Sequence, residues 1–266
     1  SRVRVPALAF WLLRLLLLRL MWCSGFEKLA SGDPTWRGLE ALEFHFFTQP
    51  LPAWTSVFAH ELPRPLLRLM TALTLAIELG LPMLALGPRP LRRLACCGFL
   101  ALQLLIGLTG NYGFFNLLTC VLCLSLLDDR DLDLAARLLR LRPASPPAAN
   151  TPHRPSPWVA PTLNALLAAL LALSLTRFAE QLLPEAVPGP LRSLLDAGAR
   201  LRSSNRYGLF AVMTTQRPEI ELEISSDGQA WQALALRFKP GPLDRWPRFA
   251  QPHMTRLDWQ LWFVAL

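Results

Sequence analysis

The sequence predicts an α-helical multi-pass membrane domain of about five transmembrane helices, followed by a small, mostly β, sandwich-like extramembrane domain. Three observations carry that reading. Hydrophobic residues make up 52% of the chain and charged residues 17%, against about 25% charged in ordinary soluble chains. Five apolar segments follow one another up to Leu175, after which the sequence turns polar. Mean hydropathy is only +0.30, too low for a chain that is membrane throughout, so spanning helices and a polar part share it.

The first segment, PALAFWLLRLLLLRLMWC, covers residues 6–23. It lacks a small-residue cleavage site and more apolar segments follow, so it reads as a span and not as a signal peptide. The others cover 66–86, 94–110, 114–127 and 158–175. A span needs about 20 apolar residues. The second segment meets that cleanly, the first and fifth lie near the lower bound, and the fourth is short.

The stretch GNYGFFNLLT, residues 110–119, breaks the apolar run between Leu94 and Leu127. That run is too long for one span and suits two short ones. Gly110 and Gly113 reach positive φ and Asn111 tolerates the left-handed region, so a tight helical hairpin is expected. Tyr112 fits an interface, its ring among headgroups and its hydroxyl in water. Asn116, one turn on, is expected to bond a neighbouring helix.

The formal charge of +8 is almost all arginine, Lys28 and Lys239 being the only lysines. The arginines flank apolar segments: Arg2 and Arg4; Arg89, Arg92 and Arg93; and Arg130, Arg137, Arg140, Arg142 and Arg154. Such placement orients a membrane protein and does not point to nucleic acid. The positive-inside rule puts these regions in the cytoplasm. Residues 24–65, the hairpin turn and the C-terminal part then lie outside. That side is the periplasm for a bacterial inner membrane, or the lumen if the chain sits in the endoplasmic reticulum of a eukaryote. The arginine-rich, lysine-poor usage reads as that of a high-GC bacterium.

The expected organisation is a membrane domain over 1–142 with the outer loop 24–65, a proline-rich linker over 143–157, a last span over 158–176, a connector over 177–204, and a β domain over 205–266. Alternation in EIELEI (219–224) gives a two-faced strand, and Asp227-Gly228 is a hairpin signal. All five cysteines lie in or beside apolar segments. Cys120 and Cys123 have redox spacing, but in an apolar helix they pack as small hydrophobes. No zinc spacing, Walker loop or Gly-x-Ser-x-Gly elbow occurs, so no metal, no cofactor and no catalytic residue is assigned.

Three groups of residues are candidates for function. Glu27, Lys28, Asp33, Trp36 and His45 form a polar set in the outer loop; Asp33 before Pro34 also fits a helix N-cap. Gly110, Asn111, Tyr112, Gly113 and Asn116 are the hairpin motif. His253, Arg256, Asp258, Trp259 and Trp262 form a dense closing motif, either facing a partner or packed inside. Within the spans, Arg14 is expected to pair with Glu78.

Three stretches resemble the lipase maturation factor family: SGFEKLASGDPTWRGLEALEFHFFTQPLPAW (24–54), TGNYGFFNLLT with LLDD after it (109–129), and NRYGLFAVMTTQRPEIELEISSDGQAWQALALRFKPG with PHMTRLDWQLWFVAL (205–266). Ser225-Ser226 and Thr255 depart from the family pattern within loops. The resemblance implies further segments on both sides of this chain, and a multi-pass membrane protein that helps secreted lipases reach their active fold. In animals such proteins act in the endoplasmic reticulum. It supplies no catalytic residue. The function expected is therefore a membrane-bound folding factor with a secreted lipase as client and the bilayer as its other partner. Two alternatives stand beside it: a membrane enzyme with an outer-face polar site around His45, and a non-enzymatic membrane scaffold.

Overall fold

The structure, a computed structural model, describes residues 6–140, 159–200, 205–241 and 244–266. Arg2, Arg4, Arg142, Arg154, the proline-rich linker and residues 201–204 of the connector lie outside them.

The chain runs through α1 (Ala7–Ala30), then three short helices of the outer loop, α2 (Pro34–Arg37), α3 (Ala41–Thr48) and α4 (Trp54–His60). Next come α5 (Arg64–Leu84), α6 (Arg89–Thr109), α7 (Phe115–Cys123), α8 (Asp129–Leu138), α9 (Val159–Leu182) and α10 (Gly189–Arg200). A small hairpin, β1 (Glu223–Ile224) and β2 (Gln232–Ala233), and a last helix α11 (Arg256–Val264) follow.

Four helices are long and apolar enough to cross a membrane: α1, α5, α6 and most of α9. The fourth expected span, over 114–127, is not among them. Its apolar residues form α7 and a 3-10 turn at Leu124–Leu126. Twelve residues of helix rise about 18 Å, well short of a bilayer core of about 30 Å. The segment falls short because its first residues are taken up by a turn that the protein itself holds.

Helix α1 packs on α5 and α9, α5 on α6, and α6 on α7. Leu17, Met21, Ala95, Cys96, Phe99, Cys123 and Leu126 form the core where α1, α6 and α7 meet. Gly25 is a contact requirement: a Cβ there would lie 2.9 Å from the Cβ of Glu78 and the Cγ of Leu79. Only glycine lets α1 and α5 come this close.

At one end of the bundle the arginines of α6 meet the acidic start of α8. Arg92 Nη2 lies 2.8 Å from Asp128 Oδ1, and Arg89 Nη2 and Arg93 Nε lie 2.9 and 2.6 Å from Asp131 Oδ1. Asp131 also accepts from the Asp128 backbone N–H at 3.0 Å. That bond first, and the Arg93 guanidinium next, hold its carboxyl well below the usual carboxylate range.

The outer-loop helices and the C-terminal segments sit together on the hairpin-turn side of the bundle. The β reading needs correction in extent. Glu223 pairs with Ala233 and Ile224 with Gln232 in one antiparallel hairpin, closed by Asp227 accepting from Gln229 and Ala230 N–H. No second layer covers it among the described residues, and Ile224 is 55% exposed. Two such strands cannot make a core of their own, so residues 205–266 are held by docking onto the membrane domain.

Candidate functional site

The last turn of α1 carries Lys28 into the bundle, where the close approach at Gly25 sets it against α5. Lys28 Nζ lies 2.7 and 2.9 Å from the two carboxylate oxygens of Glu78, and 5.1 Å from the Trp36 ring centroid. Lys28 is only 3% exposed. Either charge alone would be costly at this burial; the fork between them offsets much of that. The expected Arg14–Glu78 pair is thus replaced. Arg14 lies 14 residues, about 21 Å, up the same helix from Lys28 and donates to the Ser125 carbonyl at 2.9 Å. The sequence placed Lys28 in the loop because its apolar run stops at Cys23, yet the helix runs on to Ala30.

His45 of α3 stands beside this pair. Its Nε2 is 3.2 Å from the Tyr112 hydroxyl, which donates to Gln49 Oε1 at 2.7 Å. The Phe46 and Phe210 rings meet its edge at 5.7 and 5.2 Å. Burial first, and the nearby Lys28 charge second, push its pKa down to about 4. His45 is therefore a neutral, packed imidazole at neutral pH. Tyr112 corrects the interfacial expectation: its hydroxyl faces His45 and Gln49, not water, and burial pushes its pKa up.

The remaining members of the polar set divide. Trp36 Nε1 donates to the Phe210 carbonyl at 2.9 Å. Asp33 caps α2 through Thr35 N–H at 2.7 Å, as its place before Pro34 predicts. Its second oxygen accepts from Met213 N–H at 2.7 Å, a tie to the C-terminal part that the sequence did not reveal. Burial opposes ionisation of Asp33, but the Thr35 hydroxyl and the Met213, Thr35 and Trp36 N–H groups outweigh it and lower its pKa. Glu27 points elsewhere, accepting from Gln181 Nε2 of α9 at 2.8 Å.

The hairpin motif is a socket. Asn111 Nδ2 donates to the carbonyls of Arg248, Leu51 and Pro52 at 2.8, 3.3 and 3.4 Å. Its Oδ1 accepts from Ala250 and Gln251 N–H at 2.7 and 3.3 Å. Of the two glycines only Gly113 takes the left-handed region, at φ 63. Gly110 is extended, and a Cβ on it would fall 2.0 Å from Gln49 Oε1, so close approach is what requires glycine there. Asn116 is buried, but its Nδ2 finds no interhelical partner among the described residues, against expectation.

The closing motif splits in the same way. Trp262 is buried and donates to the Thr48 carbonyl at 2.8 Å, and Trp259 packs edge-on to Tyr112 at 5.9 Å. Asp258 accepts from the N–H groups of Phe238 and Lys239. His253 and Arg256 are exposed.

Between the membrane helices and residues 208–212 and 254–263 lies a cavity of about 600 Å³, and Lys28, Glu78 and Tyr112 help line it. A smaller cavity of about 180 Å³ lies against the same three residues and His45. Sequence reading missed a further group: Trp54, Phe58, Trp246 and Phe249. Trp54 meets Phe58 and Phe249 edge-on at 6.0 and 6.1 Å, and Phe58 stacks on Trp246 at 5.9 Å. Phe58 and Trp246 are 59% and 62% exposed. Trp54 and Phe58, four apart, were legible as one helix face; the approach of Trp246 and Phe249 was not. No group of three metal-ligating side chains occurs among the described residues.

Comparison with known proteins matches this arrangement to two family descriptions. Residues 1–134 match the lipase maturation factor transmembrane domain, and residues 203–266 match the lipase maturation factor C-terminal domain. Over 97% of this chain, lipase maturation factor 2 of Mus musculus and of Homo sapiens are each 35% identical. Lipase maturation factor 1 of Homo sapiens is 30% identical over 97%. The alignments cover 50%, 49% and 47% of those relatives, so the chain spans about half their length. These names are those of maturation factors and not of enzymes. No solved structure matches. With four membrane-crossing helices and both family regions in order, the chain is a multi-pass membrane protein that belongs to the lipase maturation factor family.

Proposed function

We propose that this chain serves the maturation of secreted lipases by binding partly folded client on the side of the membrane that carries residues 31–63 and 205–266. The observation that carries the reading is the exposed aromatic group of Trp54, Phe58, Trp246 and Phe249. Four exposed rings in contact, from two chain segments, make an apolar patch of the kind that marks protein interaction sites. A client with unburied apolar surface is such a partner. The chemistry is binding: His45 is enclosed by aromatic edges and Tyr112, which suits a structural role and not proton transfer to a substrate.

The arginines at the opposite end support placing that end in the cytoplasm. The client-binding end then faces the periplasm in a bacterial inner membrane, or the lumen of the endoplasmic reticulum in a eukaryote. The membrane domain over 1–142 is the platform on which the C-terminal region over 205–266 is displayed.

Co-expression with a secreted lipase tests the reading, scored as lipase activity per lipase molecule. The chain should raise that ratio over an empty vector, and W54A/F58A/W246A should remove the gain without lowering the melting temperature of the chain. An undiminished gain in the triple variant would move client binding off this patch. No gain with several lipases would remove the reading.

A further inference from the structure

The cavity of about 600 Å³ is lined mostly by apolar side chains of α1, α6, α7 and the C-terminal segments. Its volume falls in the range of small-molecule sites, about 300–1,000 Å³. Two of its polar linings are unusual. Gln103 of α6 and Asn116 of α7 are each 6% exposed, and Gln103 Oε1 and Asn116 Nδ2 have no hydrogen-bond partner among the described residues. A buried acceptor and a buried donor left unmade are each destabilising. Here both border a space large enough for a ligand.

The same two side chains also line a second, more open groove between α6 and α7, beside Leu104, Leu108 and Leu117. Those three leucines are well exposed on candidate membrane helices or beside them, which makes them lipid-facing. Gln103 and Asn116 therefore stand between the bilayer and the inner cavity.

The electrostatics select the headgroup. Lys28 and Glu78 are the charged residues on the lining, and both Glu78 oxygens already accept from Lys28. No cation is left for a carboxylate or phosphate and no anion for an ammonium. A hydroxyl both donates and accepts, so it can donate to the Gln103 oxygen and accept from the Asn116 amide N–H, or the reverse if both amides are flipped. We propose that the cavity holds one single-chain neutral lipid, a long acyl chain with a hydroxyl-bearing headgroup of the monoacylglycerol kind, which reaches it from the bilayer between α6 and α7. The proposal stands independently of the client reading, and its test involves no lipase.

The chain is reconstituted in phosphatidylcholine nanodiscs with one of three probes, each carrying a diazirine on its acyl chain: a monoacylglycerol, a fatty acid or a lysophosphatidylcholine. Cross-linked peptides are mapped by mass spectrometry. The monoacylglycerol should label 103–120 and 207–213 about five-fold more than either charged probe, and Q103L and N116L should each lower that labelling about five-fold. Because each variant removes a buried polar atom without a partner, the lipid-free variants should melt no lower than wild type. Equal labelling by the three probes would overturn the proposal on the wild-type chain alone, whatever the variants do. So would labelling confined to Leu104 and Leu108, or labelling unchanged in both variants.

Discussion

The two ends of this bundle hold charge in opposite ways. At one, Arg89, Arg92 and Arg93 meet Asp128 and Asp131 at a surface where Asp128 is 42% exposed. At the other, Lys28 and Glu78 meet in the protein interior, roofed by segments from the far end of the chain. Water shares the work of solvating Asp128 and the arginines, though Asp131 itself is covered, so the Asp128 pairs add little to stability. In the second, each charge is met chiefly by the other, with the Ser24 carbonyl and the Trp36 ring beside Lys28 in place of water, so the pair commits the helices that carry it to one register. The contrast explains why the C-terminal region docks where it does. The buried pair, His45 and Tyr112 need a cover, and Phe210, Trp259 and Trp262 supply it.

The sharpest way to break this contrast is to remove one partner of the buried pair. E78Q should destabilise the chain by about 3–5 kcal/mol, since Lys28 is left charged and unpaired. Changing the exposed Glu61 to Gln should shift stability by no more than about 0.5 kcal/mol. The double change K28M/E78M should recover most of the loss, because apolar replacement of a whole buried pair is close to neutral. Chemical denaturation in detergent micelles measures all three. Equal stability of E78Q and E61Q would mean that Glu78 is solvated in some other way.

The neighbouring His45 should make this end acid-sensitive. Its folded pKa, about 4, lies below the 6.5 of an unperturbed histidine. The unfolded chain therefore binds a proton that the folded chain refuses between those values. Stability from this group is complete above about pH 6.5 and is lost as pH falls towards 4, by at most about 3 kcal/mol. Asp33 and Asp131, whose pKa values are lowered below 3.8, lose their contributions only further down, so the window belongs to His45. H45N should flatten the stability profile between pH 4 and 6.5. A profile unchanged by H45N would place the acid sensitivity elsewhere.

A smaller loss, about 2–3 kcal/mol, is expected from N111A, which strands the Ala250 N–H and the Arg248 carbonyl. Its signature is local: proteolysis within 205–255 should quicken while the transmembrane helices stay protected. Uniform acceleration over the whole chain would show that the C-terminal region is not held by this socket.

What could be read in the sequence followed from periodicity and composition. Four long apolar segments became four membrane-crossing helices, and Asp33-Pro34 became a cap, because these depend on neighbours in the chain. Asn111 was legible as a turn residue, yet its turn conformation is not why it matters. Its amide binds Leu51, Pro52, Arg248 and Ala250, which are far apart in sequence. Glu78 was assigned to Arg14 because a straight reading cannot say how far α1 slides along α5. Gly25 sets that offset, and a glycine in a helix carries no such label. The β reading went further than the chain: Glu219–Ile224 alternates properly, but alternation predicts a covered face only where something covers it.

The smallest expected effect tests the exposed end. Asp128 opens α8, and asparagine keeps the capping role, so D128N removes only the charge that meets Arg89 and Arg92. Stability should fall by less than about 1 kcal/mol, and the difference should shrink as salt rises, since exposed charges are screened within about 10 Å at 0.1 M. The E78Q loss should be insensitive to the same salt, because ions do not reach the pair. A salt-insensitive D128N loss as large as that of E78Q would place the arginine end inside the cooperative core. The two ends would then differ in exposure but not in what they do for the fold.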